Sequence, residues 1–147
     1  MALINELQAQ MKTAMKAKDK ETLSVVRMLK AAVQNKQIAL GHDLTEDDEK
    51  SVLATELKQR KDSLAEFKAA GRDDLVAPLE AEIKIVESYL PAQLDEAAVA
   101  SLVDSVIQET GATGKADFGK VMKTLMPKVK GQADGALVNR IVKAKLS

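Results

Sequence analysis

Apolar residues recur three or four positions apart along almost the whole chain, and in no window do they alternate with polar ones at period two. The first spacing lines one side of a helix; only the second lines one face of a strand. An all-α protein is therefore predicted. Near-absence of aromatics, 2% of 147 residues, points the same way, because strand-rich folds draw on them heavily.

Leu3, Leu7, Met11 and Met15 place a first helix over about Ala2–Ala17. Asp19 is positioned to cap a second, with Leu23, Val26, Leu29, Val33 and Ile38 on its apolar side and Gly41 as its left-handed stop. Thr45-Glu-Asp-Asp reads as a capping box with acids in the first turn. It opens a third helix through Val52, Leu53, Leu57, Leu64 and Phe67 to Gly71. A fourth begins near Asp73 or Asp74, buries Leu75, Leu79, Ile83, Val86 and Leu90, and stops at Pro91; Pro78 sits in its first turn or kinks it. Beyond Pro91 the elements shorten. Asp95 caps a helix carrying Val99, Leu102, Val103 and Val106, and residues 111–114 form a loop. Phe118, Val121, Met122 and Leu125 define a helix stopped by Pro127, with Lys128–Gly131 as the turn after it. Asp134 caps the last, which presents Leu137, Val138, Ile141, Val142 and Leu146. Two domains follow from this change of length: residues 1–90, a long-helix bundle or hairpin, and residues 91–147, a small three-helix domain.

Charge is segregated although the net charge is zero. The first forty residues are basic, residues 41–114 are acidic, and the tail from Lys115 carries Lys115, Lys120, Lys123, Lys128, Lys130, Arg140, Lys143 and Lys145 against Asp117 and Asp134 alone. A basic face of this kind attracts polyanions even on a neutral molecule. For the N-terminal block, solvated helix surface with internal ion pairing explains the charge equally well. Arg27, Arg60 and Arg72 are read as ion-pairing with the acidic third and fourth helices.

Catalytic chemistry is not evident. His42 is the one histidine, alone in a loop with no metal-ligand spacing and no serine or cysteine beside it. Glu46, Asp47, Asp48 and Glu49 occupy consecutive helical positions and point different ways, which suits a helix dipole better than a metal. Glu80 and Glu87 are spaced as a solvated face. Gly111-Ala-Thr-Gly-Lys-Ala116 echoes a P-loop, but its glycines are too close, Ala116 replaces the Mg²⁺-binding hydroxyl, and no strand precedes it. No cofactor and no metal are expected. With Phe67 and Phe118 on apolar faces and only Tyr89 left over, RNA would be bound through phosphates and shape rather than by base stacking. The absence of cysteine, of any apolar run near the ~20 residues of a membrane span, and of a signal-peptide start leads us to expect a cytoplasmic protein with no membrane partner.

Three segments, 27–32 (Arg-Met-Leu-Lys-Ala-Ala), 60–75 (from Arg-Lys-Asp-Ser-Leu to Asp-Asp-Leu) and 80–94 (ending Tyr-Leu-Pro-Ala-Gln-Leu), resemble the YqeY family of small bacterial proteins. The tail, with Gly119-Lys-Val-Met-Lys, Pro127-Lys-Val-Lys-Gly-Gln-Ala-Asp-Gly135 and Val138-Asn-Arg-Ile-Val142, resembles the domain that family shares with the B subunit of the tRNA-dependent amidotransferase. The resemblance spans essentially the whole chain. It implies an all-α, two-domain, non-catalytic accessory protein that binds tRNA. The carbon–nitrogen ligase activity, with glutamine as amide donor, belongs to the parent complex, and no intrinsic activity is expected here. The contact residues it implies are Lys120, Lys123, Lys128, Lys130, Arg140, Lys143 and Lys145, with Gly131 and Gly135 bringing backbone N–H groups to phosphate; simple turn geometry explains the glycines equally well. The alternative is an adaptor whose N-terminal helices dock an aminoacyl-tRNA synthetase or an amidotransferase subunit through an exposed apolar groove.

Overall fold

The computed structural model describes residues 2–147, and among them the only regular structure is helical. Seven α-helices follow one another: α1 Ala2–Lys16, α2 Lys20–Leu40, α3 Glu46–Ala69, α4 Asp73–Glu87, α5 Glu96–Thr110, α6 Phe118–Val129 and α7 Gly135–Leu146, with one 3₁₀ turn at Lys115–Asp117. They form two compact units, one ending at Leu90 and the other running from Pro91 to Ser147.

Local chemistry starts most of these helices. Asp19 accepts the Thr22 N–H at 3.1 Å, and Asp95 accepts the Ala98 N–H at 2.7 Å. Thr45 and Asp48 form a reciprocal capping box, Asp48 N–H to the Thr45 hydroxyl at 3.1 Å and Thr45 N–H to the Asp48 carboxylate at 3.0 Å. Each cap satisfies N–H groups that the helix itself leaves without acceptors. The α1 start is handled differently: the buried carboxylate of Glu49, from α3, accepts the Leu3 N–H at 2.9 Å. Among the described residues five have positive φ. Four are glycines, and the fifth is Lys18 at 57°, which ends α1 where a side chain is disfavoured.

In the first unit α1 packs on α2, and α3 on α4, around Leu7, Val25, Val26, Leu29, Val33 and Val86, all essentially inaccessible. Arg60 is buried between α3 and α4, with Glu56 at 2.8 Å and Glu82 at 3.4 Å. Tyr89 packs against this core, and burial, with Glu6 nearby, raises its hydroxyl pKa. In the second unit α5, α6 and α7 pack against one another around a core in which valine predominates: Val99, Val103, Val106, Val121, Val129, Val138 and Val142 with Leu125, Ile141 and Leu146.

Two expectations change. The helix through Phe118 is not stopped by Pro127 but continues to Val129. A proline removes one hydrogen bond, here to the Lys123 carbonyl; in exchange Val129 completes the buried stripe Val121, Leu125, Val129. Lys128 is consequently helical, and the turn begins at Lys130. Ile38, assigned to the apolar side of α2, is 79% exposed. Of the two placements left open for Pro78, the first turn is excluded: it is the sixth residue of α4, facing an open groove with Ala77 and Ala81.

Candidate nucleic-acid interface

The second unit carries every residue of the expected interface, but its basic residues fall into two classes. Lys128 reaches Glu109 at 2.9 Å, Lys145 reaches Asp104 at 2.9 Å, and Arg140 reaches Glu96 at 3.4 Å. All three acids project from α5. The acids of residues 91–114 thus fold back onto the tail: of these four, three pair with tail bases and Asp95 caps α5. Lys115, Lys120, Lys123, Lys130 and Lys143 remain outside ion pairs among the described residues. Lys120 and Lys123 are exposed on α6, at adjacent-turn positions opposite the Val121–Leu125 stripe.

Lys143 lies 5.8 Å over the Phe118 ring, a cation–π contact that anchors it beside α6. The two side chains, with Lys115, Ala144 and Ser147, line an open recess of about 620 Å³. Lys115 had no place in the expected contact set; the 3₁₀ turn brings it to α7, a non-local placement without a sequence signal. Asp117 ends the same 3₁₀ turn that carries Lys115. Its carboxylate accepts the Thr113 N–H at 2.9 Å, and chiefly for that reason its pKa is lowered, with the Lys120 charge contributing.

The glycines differ from each other. Gly131 is buried at φ 78°, and its carbonyl accepts a hydrogen bond from the Gln93 side chain at 2.7 Å. Gly135 is exposed as the first residue of α7, behind the Asp134 cap that accepts the Ala136 N–H at 3.3 Å.

Elsewhere, Arg60 and Arg72 are ion-paired, the latter with Asp74 at 3.1 Å, whereas exposed Arg27 has no ion pair among the described residues. His42 lies with Nδ1 2.7 Å from the Asp43 carbonyl oxygen. Among the described residues no group of three acidic or histidine side chains is arranged for a metal. The groove between α2 and α3, about 380 Å³, is lined by Asn35, Lys36, Thr55 and Glu56 as well as Ala32 and Val52. Its lining mixes polar and apolar side chains, as does that of the α2–α4 groove, where Met28 and Pro78 lie beside Glu21 and Glu82.

These features define a small protein that is all-α over its described residues, with acids and bases of the second unit brought together from separate helices. The chain belongs to the Yqey-like protein family, whose family model matches residues 4–146. Its curated relatives include "Altered inheritance of mitochondria protein 41, mitochondrial" from Pyrenophora tritici-repentis, 29% identical over 89% of this chain and 73% of that protein. The proteins of that name from Kluyveromyces lactis and Saccharomyces cerevisiae are each 36% identical, over 86% of this chain and 74% of the former, and over 70% of this chain and 54% of the latter. The match thus spans little more than half of the S. cerevisiae protein. These names correct the cytoplasmic expectation, since they point to mitochondria instead. That expectation rested on three absences, of cysteine, of an apolar span and of a signal-peptide start, all of which a mitochondrial protein can share. Among the described residues no helix is long and apolar enough to cross a membrane.

Proposed function

We propose that this chain is a non-catalytic tRNA-binding accessory protein, in which α5–α7 act as one small three-helix domain of the amidotransferase-tail kind. The observation that carries the reading is the set of five second-unit lysines outside ion pairs, Lys115, Lys120, Lys123, Lys130 and Lys143. An unpaired exposed ammonium is free to replace counterions on a phosphate backbone, whereas one held by a carboxylate must first give up that partner. Both phenylalanines are engaged with the cores, which leaves base stacking little part. Folded RNA, read by backbone and shape, is the polyanion that suits such a surface.

The test is retention of total tRNA by the purified protein across a salt series. Binding should fall steeply with salt, and Lys120→Ala with Lys123→Ala should reduce the log–log slope by about 1.5, two phosphate contacts' worth. A salt-independent signal, or a slope unchanged in the double variant, would refute the reading.

A further inference from the structure

The unpaired bases of the molecule are not confined to the tail. Where α1 turns into α2, Lys12, Lys16, Lys18 and Lys20 are all exposed, and none has a carboxylate oxygen within 4.0 Å among the described residues. Lys12 and Lys16 are one turn apart on the side of α1 away from Leu3, Leu7 and Ala14. Two acids lie close in sequence. Asp19 is occupied, accepting the Thr22 N–H and, at 2.6 Å, the Thr22 hydroxyl. Glu21 belongs to the other side of the turn, lining the α2–α4 groove with Pro78.

Lys18 supplies the second observation. Among the described residues the other four left-handed positions, Gly41, Gly71, Gly111 and Gly131, are glycine; this one alone carries a side chain, at φ 57°. Helix termination alone would be served better by glycine. A long cation at a left-handed position costs backbone strain that glycine would avoid, and that cost raises the question of what the cation does. In the tail, by contrast, three of the eight bases are held by α5 acids.

We infer that the α1–α2 corner, through Lys12, Lys16, Lys18 and Lys20, is a second phosphate-contact surface for folded RNA. This rests on the tRNA-binding reading and extends it to the first unit. The experiment is the tRNA salt series on the full chain as wild type, Lys18→Gly, Lys18→Arg, and the quadruple alanine variant of the four lysines. The quadruple variant should lose roughly 3 from the log–log slope and Lys18→Gly roughly 0.8, while Lys18→Arg keeps the wild-type slope. Lys18→Gly should also melt at or above the wild-type temperature, so its weaker binding cannot come from unfolding. Wild-type protein that fails to bind tRNA would remove the tRNA-binding reading itself. Wild-type binding whose slope is the same in both the quadruple and Lys18→Gly variants would overturn this inference and leave that reading standing. Because Met15, 55% exposed, lies beside these lysines, the same variants are floated with phosphatidylcholine–phosphatidylserine vesicles. Loss of vesicle binding with an unchanged tRNA slope would make the corner a lipid surface and likewise overturn the inference.

Discussion

In the second unit, acids and bases distant in sequence are brought face to face: Glu96, Asp104 and Glu109 of α5 meet Arg140, Lys145 and Lys128 across helix boundaries. In the first unit the bases of α1 and the start of α2 stay exposed and outside ion pairs among the described residues, whose ion pairs there lie in α3, α4 and the turn between them. The cores differ too, leucine-rich in the first unit and valine-rich in the second. Net charge by segment is therefore a poor guide to where charge is available. The tail has the most basic sequence, yet the α1–α2 corner has the less encumbered cations.

Four variants sharpen or break this comparison. The largest effect is expected from Leu125→Ala, which opens a cavity in the α6 stripe and should cost about 2–5 kcal/mol. Thermal unfolding followed by circular dichroism should then separate into two transitions, with only one displaced; one transition moving as a whole would show that the cores are not energetically separate. Arg60→Ala removes the ion-paired centre of the first unit. It should cost about 2–3 kcal/mol, less than the roughly 3–5 kcal/mol of a fully buried pair, because Glu56 and Glu82 retain partial access to water. A loss under about 1 kcal/mol in urea titration would place Arg60 with ordinary surface pairs. Glu49→Ala leaves the Leu3 N–H without its carboxylate and should cost about 1–2 kcal/mol. Hydrogen exchange should rise first at the start of α1, and unchanged protection there would contradict the role assigned to Glu49. The smallest stability change is expected for Glu96→Gln, Asp104→Asn and Glu109→Gln together, about 1 kcal/mol or less per exposed pair. Their effect should appear in tRNA affinity instead, which rises as Lys128, Arg140 and Lys145 are released; unchanged affinity would mean that the α5 acids do not restrain the tail.

What the sequence disclosed is what lies within about four residues of its cause. Asp19, Thr45, Asp95 and Asp134 are helix starts both by sequence rule and by hydrogen bond. The all-α class follows directly from apolar spacing. What stayed hidden is non-local or competitive. Glu49 acts on a residue 46 positions away, so it reads as one more acid in a first turn. Pro127 carries a stop signal that the burial of Val129 outweighs. The tail appeared short of counter-charges because its acids precede it, on another helix. No local rule marks Lys18 either, since sequence patterns anticipate glycine or asparagine at that position.

Residues 92–94 look like linker, yet they are stitched to the turn between α6 and α7. Leu94 N–H meets the Gln132 carbonyl at 2.8 Å, the Gln93 side chain meets the Gly131 carbonyl at 2.7 Å, and the Gln132 side chain meets the Ala92 carbonyl at 3.3 Å. The transplantable module accordingly begins ahead of its first helix. A fragment starting at Pro91 carries its own clasp, while one trimmed to Asp95 would strip two carbonyls of the turn that presents Lys130, leaving that loop to find its shape unaided.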